Sequence, residues 1–140
     1  MGDRRQAREL ALQALFFLDM DKSDPVQGFE IFCTNYEDKL TKGIKPFFTD
    51  LVQGVIEHRQ RIDDLLDTCS KNWKLARMPA VDRNIMRIAV FELLMRPDIP
   101  HSVTINEAVE IGKKYGTRDS GAFINGVLDR VKSLEGLEKS

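Results

Sequence analysis

The sequence predicts an all-α protein that forms a single domain over residues 1–140. Apolar residues recur at steps of three and four along nearly the whole chain. No segment shows the sustained alternation of apolar and polar residues that a half-buried strand would require. A chain of 140 residues can bury a real core but is too short for two domains of ordinary size.

The first helix, over Met1–Leu18, is predicted to have two faces. At about 100° per residue, Phe16 projects within about 20° of Arg5, and Arg4 and Arg8 stand beside them. The opposite, core-facing side collects Ala7, Leu10, Ala14, Phe17 and Leu18. Guanidinium groups bind phosphate, and an exposed ring stacks on a base, so this face indicates single-stranded nucleic-acid binding. The alternative is a solvated basic helix start, with Phe16 covered by a neighbouring element.

The middle of the chain is predicted to form two helices separated by a loop. Asp24 and Pro25 supply an N-cap and a first-turn proline for a short helix that runs through Phe32. A loop follows over about residues 35–43. One long helix is then predicted from Phe48 to Cys69, along an apolar stripe with His58 packing on its flank.

The second half of the chain is predicted to contain the most buried helix. This helix, over about 80–95, is apolar around almost its whole circumference. The next helix begins either at Pro100 or at a capping box that starts at Thr104, and it ends at Gly116 in a left-handed C-cap.

The last helix is predicted to be capped by Asp119 or Ser120. Within it, the pair Asn125 and Gly126 is expected to mark a close approach between helices, because a larger side chain would not fit there.

Composition argues against several classes of function. The net charge of −1 means that any nucleic-acid role must come from a local patch. The chain shows no membrane-length apolar run and no signal peptide, so we expect a cytoplasmic protein. Cys33 and Cys69 are expected to be free buried thiols, with no zinc site and no cofactor. Catalytic motifs are absent, and Asp63 and Asp64 diverge by about 100° on a helix, which favours a solvated face.

Three stretches together resemble the NusB family of bacterial transcription antitermination factors. They are RRQARELALQALF (4–16); VDRNIMRIAVFELL (81–94) with DIP (98–100); and INEAVEIGKKYG (105–116) leading to DSGAFINGVLD (119–129). The stretches span the chain in the family's order. The resemblance implies about seven helices in two small bundles.

The resemblance also implies a non-enzymatic function. Members of the family bind the boxA element of nascent RNA together with NusE, a small-subunit ribosomal protein, within the RNA polymerase antitermination complex that transcribes ribosomal RNA. By position, the RNA surface would use Arg4, Arg5 and Arg8 for phosphate and Phe16 for stacking, completed by Asp119 and Phe123. Asp82 would contact NusE.

Departures from the family pattern and alternative interpretations accompany these assignments. Gln6 and Ala122 stand where relatives often have basic residues, and Phe16 lacks the hydroxyl of the usual tyrosine, so the isolated protein is expected to bind RNA weakly. Asp119 is interpreted either as a helix cap or as an acceptor for a base edge. Phe123 is either a core residue or a stacking ring.

Two competing functions remain beside the RNA-binding adaptor. One is a helical scaffold that self-associates as a homodimer and buries the N-terminal patch. The other is the RNA-recruiting domain of a ribosomal RNA cytosine methyltransferase, whose N-terminal part resembles NusB. We do not expect the methyltransferase domain, because no glycine-rich nucleotide-binding unit follows the helices before Ser140.

Overall fold

A computed structural model describes residues 2–20, 24–71 and 73–136, and this part of the chain is all-helical. It contains seven α-helices and one short 3-10 helix, over Leu75–Arg77. The α-helices are α1 (Asp3–Met20), α2 (Pro25–Asn35), α3 (Lys45–Glu57), α4 (Arg59–Cys69), α5 (Ala80–Met95), α6 (His101–Tyr115) and α7 (Ser120–Leu134). The predicted fold class and number of helices are confirmed. The fold divides into two compact units, Met1–Glu57 and His58–Ser140.

In the first unit, α1 packs against both α2 and α3. The predicted start of α2 is confirmed: the Asp24 carboxylate accepts a hydrogen bond from the backbone N–H of Val26 at 3.2 Å, and Pro25 is the first helical residue. An aromatic cluster fills the core, with the ring of Phe32 centred 5.8 Å from that of Phe48. Phe48 is fully buried, as expected of a ring at the centre of three helices.

The long helix predicted over residues 48–69 is wrong, because the chain turns at His58 and forms two helices there. His58 has φ −105° and ψ 20°, outside the helical range, although its carbonyl still accepts from Ile62 N–H at 3.0 Å. The apolar stripe keeps its phase across this single residue, so periodicity alone does not reveal the break. The predicted packing role of His58 is confirmed: it is half-buried, with its ring 6.4 Å from that of Phe91.

In the second unit, α5 is the most buried helix, as predicted, and it packs against α4, α6 and α7. Its polar residues are held by specific partners. The Arg87 guanidinium donates to both carboxylate oxygens of Asp63 on α4, at 2.8 and 3.1 Å, and to the Asn84 amide oxygen at 2.9 Å. These bonds satisfy a buried charge that would otherwise oppose folding.

The start of α6 agrees with the predicted alternative at Pro100, and the end of α6 corrects a prediction. The helix begins at His101, directly after Pro100, so Thr104 is no cap; its hydroxyl instead donates to the buried Glu92 carboxyl at 2.9 Å. Gly116 has φ −93° and ψ −158°, so the predicted left-handed cap is wrong, but a Cβ at this position would lie 2.8 Å from the carbonyl oxygen of Gly112, so a glycine is still required there.

The close approach between α6 and α7 occurs at a different glycine from the one predicted. A Cβ built on Gly112 would lie 2.6 Å from Cδ1 of Ile124, whereas one on Gly126 would meet only the Arg130 guanidinium, at 3.8 Å. Gly112, and not Gly126, is therefore a residue whose missing side chain permits the packing of α6 on α7.

Candidate nucleic-acid interface

Phe16 lies on an exposed stripe of α1, as its predicted face requires. Its side chain is 38% exposed, and Gln13 and Met20, one turn away on either side, are exposed as well. A helix that packs on both α2 and α3 leaves a narrow outer surface, and Phe16 occupies it. An accessible ring at this position can stack on a base.

The three arginines of α1 differ in their accessibility. Arg4 is exposed and Arg5 is partly exposed, whereas Arg8 retains only 4% of its accessible surface. The guanidinium carbons of Arg4 and Arg8 lie 5.0 and 5.2 Å from the ring centroid of Phe47 on α3, within the range of a cation–π interaction. The predicted placement of Arg8 on an open face is wrong, because Ala7–Leu12 is buried without interruption.

At the start of α7, Asp119 occupies the N-cap position but its side chain forms no capping hydrogen bond. The turn is held instead by Ser120, whose hydroxyl accepts from Thr117 N–H at 2.9 Å and donates to the Asp82 carboxyl of α5 at 2.8 Å. Of the two predicted caps, Asp119 is therefore correct by position, although its exposed side chain makes no capping hydrogen bond. An exposed carboxylate next to a fixed turn can accept a hydrogen bond from a ligand.

Phe123 is partly buried by Trp73, a residue that the analysis of the sequence did not assign to the site. The two ring centroids are 6.0 Å apart and the ring planes are inclined by 50°. Trp73 is 47% exposed. It is the single tryptophan of the chain and stands in a segment rich in lysine and arginine, which is the signal that could have identified it.

Asp82 is buried rather than displayed, with 4% of its surface accessible, so the predicted direct contact with a protein partner is wrong for this conformation. Burial raises the pKa of the Asp82 carboxyl, and the hydrogen bond from Ser120 partly offsets that rise. Asp82 links α5 to the start of α7.

The site residues fall into two groups, one in each unit. Arg4, Arg5 and Phe16 lie on α1 in the first unit, while Asp119 and Phe123 lie at the start of α7 in the second.

Other chemistry is sparse in the part of the chain that the structure describes. Over residues 2–20, 24–71 and 73–136, no group of three or more His, Cys, Asp or Glu side chains is arranged to hold a metal ion. Within the same ranges, no helix combines the length and apolar character that crossing a membrane demands. Cys69 is buried and Cys33 partly buried, and burial raises the pKa of both free thiols, which keeps them protonated and unreactive.

The fold and these two groups define a small, all-helical class of protein with accessible arginine and aromatic side chains. Comparison with known proteins gives the family. Residues 5–133 match the model of the NusB family. The chain is 60% identical over 139 residues to the transcription antitermination protein NusB of Desulforapulum autotrophicum, covering 99% of this chain and 97% of that protein.

Solved structures agree with this match. NusB of T. maritima superimposes with a TM-score of 0.83 at 38% identity, over 95% of this chain and 93% of that one. A chain from a crystal structure of antitermination factors NusB and NusE in complex with double-stranded RNA has the same fold, with a TM-score of 0.83 at 24% identity over 94% of this chain and 97% of that one. The protein belongs to the NusB family of transcription antitermination proteins, and it is not an enzyme.

Proposed function

We propose that the protein binds the boxA element of nascent ribosomal RNA in single-stranded form, together with NusE, and acts within the RNA polymerase antitermination complex. The observation that carries this proposal is an exposed aromatic ring, Phe16, on the same helix as the accessible arginines Arg4 and Arg5. The family relation supports it, and a related NusB, 24% identical, was crystallised with NusE and double-stranded RNA. Because ribosomal RNA is made in the bacterial cytoplasm, we propose that the protein works there.

On α1, phosphate and base are bound by different side chains. Arg5 and Phe16 are eleven residues apart, or about 16 Å along the helix axis, on nearly the same side. A phosphate at Arg4 or Arg5 and a base on Phe16 therefore belong to different nucleotides of one strand. Single-stranded RNA can follow this arrangement because its bases are free to turn outward and stack on protein rings.

Arg8 contributes to the same surface through Phe47 rather than by touching phosphate. Its buried guanidinium and the exposed one of Arg4 both lie over the Phe47 ring. The ring attracts the Arg4 head group and restrains it, so that less side-chain entropy is lost when a phosphate binds.

The start of α7 supplies the second group of RNA contacts. Phe123 presents the part of its ring that Trp73 leaves uncovered, and Asp119 accepts a hydrogen bond from a base edge. A carboxylate repels phosphate, so Asp119 favours binding only where a base amino group faces it. In this arrangement α7 contributes to specificity for the RNA base sequence, while the arginines of α1 contribute affinity for the RNA backbone.

The NusE-binding surface is proposed to include the start of α5. Asp82 serves this surface as a positioning residue, because its hydrogen bond from the Ser120 hydroxyl holds the start of α5 against α7. The conservative replacement Asp82→Asn keeps an acceptor for Ser120 and is expected to leave NusE affinity unchanged. Asp82→Leu, which loses that acceptor, is expected to weaken NusE binding, and equal affinity in both variants would refute the positioning role.

The proposal is tested by titrating the protein with a short boxA RNA, in the presence and absence of NusE and at several salt concentrations. We expect weak binding by the protein alone and tighter binding with NusE, with a scrambled RNA of equal length as the control. Particle mass measured with and without RNA distinguishes an adaptor from a self-associating scaffold. Equal affinity for boxA and scrambled RNA in the presence of NusE, or a dimer that RNA cannot bind, would refute the proposed function.

A further inference from the structure

Trp73 is a half-exposed indole that rests against one neighbouring ring. It lies between α4 and the 3-10 helix, with 47% of its surface accessible. Its ring centroid is 6.0 Å from that of Phe123 on α7. A large aromatic ring exposed to this degree gains less from burial than a core tryptophan does. About half of its surface remains available to a ligand.

Hydrogen bonds hold the backbone at Trp73 and just after it. The Ser70 hydroxyl donates to the Trp73 carbonyl at 2.6 Å, and the Asp67 carboxylate accepts from the backbone N–H of Leu75 at 2.8 Å. Farther along, the Arg83 guanidinium reaches the carbonyls of Leu75 and Met78, both at 3.4 Å. An exposed ring on a restrained backbone is preorganised, so binding to it costs little ordering of the chain.

The segment that carries Trp73 is basic. Lys71, Lys74 and Arg77 are all exposed, and residues 71–77 contain no acidic side chain. The whole molecule has a net charge of −1, so this concentration of cations is a local feature. Cations placed around an exposed aromatic ring are the combination by which proteins bind single-stranded nucleic acid without a deep pocket.

We propose that Trp73 and Phe123 form a second base-stacking site for single-stranded RNA, in which Lys71, Lys74 and Arg77 neutralise the flanking phosphates. A base stacks on the open face of the indole, and the inclined ring of Phe123 meets its edge. The inference rests on the proposed RNA-binding function and adds Trp73 and its basic segment to the contact already proposed at Phe123. It also explains why Phe123 is partly covered: Trp73 is its partner in the stacking site.

Because Trp73 is the single tryptophan, its fluorescence reports on this site directly. The experiment titrates the full chain with a short single-stranded boxA RNA, alone and with NusE, and with inorganic polyphosphate as a polyanion that has no bases. We expect RNA to quench and shift the emission, and polyphosphate to leave it nearly unchanged, because stacking alters the indole and charge neutralisation alone does not.

Matched variants separate stacking from charge. Trp73→Leu keeps an apolar side chain and is expected to weaken RNA binding by about 5- to 150-fold, whereas Trp73→Phe, which can still stack, loses less. Lys74→Ala with Arg77→Ala is expected to lower the salt slope by about 1.4, since each phosphate contact to a single strand contributes about 0.7. Melting temperatures of all variants exclude a loss of folding as the cause.

The outcomes separate this inference from the proposed function. Suppose that RNA binds and Phe16→Ala weakens the binding, but RNA leaves the Trp73 emission unchanged and Trp73→Leu binds RNA as tightly as the wild type. The second site is then refuted and the proposed function stands. If NusE changes the emission and RNA does not, Trp73 belongs to a protein contact, and the inference is again refuted. If the wild type fails to bind RNA with or without NusE, the proposed function itself fails.

Discussion

The contact of Arg4 and Arg8 with Phe47 makes a quantitative prediction about how the α1 surface is held together. Phe47 is buried on α3, and both guanidinium carbons lie about 5 Å from its ring centroid. Phe47→Leu keeps an apolar side chain in the core but removes the ring and its negative face. The folded state then loses the attraction between the ring and the two cations.

The size of this loss follows from the exposure of each arginine. Cation–π attraction is about 0.5–1 kcal/mol at an exposed site and about 2 kcal/mol when the pair is removed from water. Arg4 is exposed and Arg8 is buried. We therefore expect the pair of Arg8 with Phe47 to contribute about 2 kcal/mol to the free energy of unfolding, and that of Arg4 with Phe47 about 0.5–1 kcal/mol.

A double-mutant cycle measures this energy without interference from the other contacts of Arg8. Urea unfolding of Arg8→Met, Phe47→Leu and the double variant should give a coupling energy of about 2 kcal/mol. The control cycle pairs Phe47→Leu with Arg61→Met, because Arg61 forms its ion pair with Glu135 in the other unit. Its coupling should be close to zero. A coupling between Arg8 and Phe47 no larger than that of the control would refute the reasoning.

The remaining predictions concern the buried link at Asp82 and the glycines of α6 and α7. Burial raises the pKa of Asp82 in the folded state, so protonation of this carboxyl favours folding. The resulting gain in stability is present below the ordinary Asp pKa and is lost as the pH rises through the pKa of the folded state. Asp82→Asn keeps an acceptor for Ser120 and should therefore be at least as stable as the wild type at pH 7, and any gain in stability should disappear in acid. Thermal melts across this pH range measure the difference. An Asp82→Asn variant that is less stable than the wild type at pH 7 would contradict the burial argument. Gly112→Ala should destabilise the fold by about 1–3 kcal/mol, because the added methyl group meets the buried Ile124. Gly126→Ala, whose methyl group would meet only the Arg130 guanidinium at an ordinary contact distance of 3.8 Å, should be neutral or stabilise by about 0.5–1 kcal/mol. Equal effects of the two substitutions in chemical denaturation would contradict the assignment of Gly112 as a contact point.

The apolar pattern predicted the helices well where one face of a helix decides its packing. The start of α2 and the whole of α5 follow from an N-cap, a proline and apolar spacing that act within one element. The same pattern missed the turn at His58, because one non-helical residue can be inserted without changing the phase of the stripe and without a glycine or proline to mark it.

Burial of polar side chains was the part that the sequence could not predict. Arg8 is buried because α1 packs on both α2 and α3. A side chain that points away from one of these helices can therefore still be covered by the other. Asp82 is buried because Ser120, 38 residues later, supplies its hydrogen bond. Both effects depend on contacts between helices that are distant in the sequence, whereas the exposed Phe16 could be located from periodicity within α1 alone.

The central claim is that α1 binds RNA with two kinds of side chain, and the salt dependence of RNA affinity tests it most directly. For single-stranded boxA RNA, replacing both Arg4 and Arg5 with Ala should lower the salt slope by about 1.4, while the melting temperature falls by no more than the few degrees that the lost contact of Arg4 with Phe47 accounts for. Phe16→Ala should weaken binding by about 1–3 kcal/mol and keep the slope of the wild type. An arginine variant with unchanged affinity and slope, or a Phe16→Ala variant that unfolds more easily while its folded fraction binds as the wild type does, would contradict the claim.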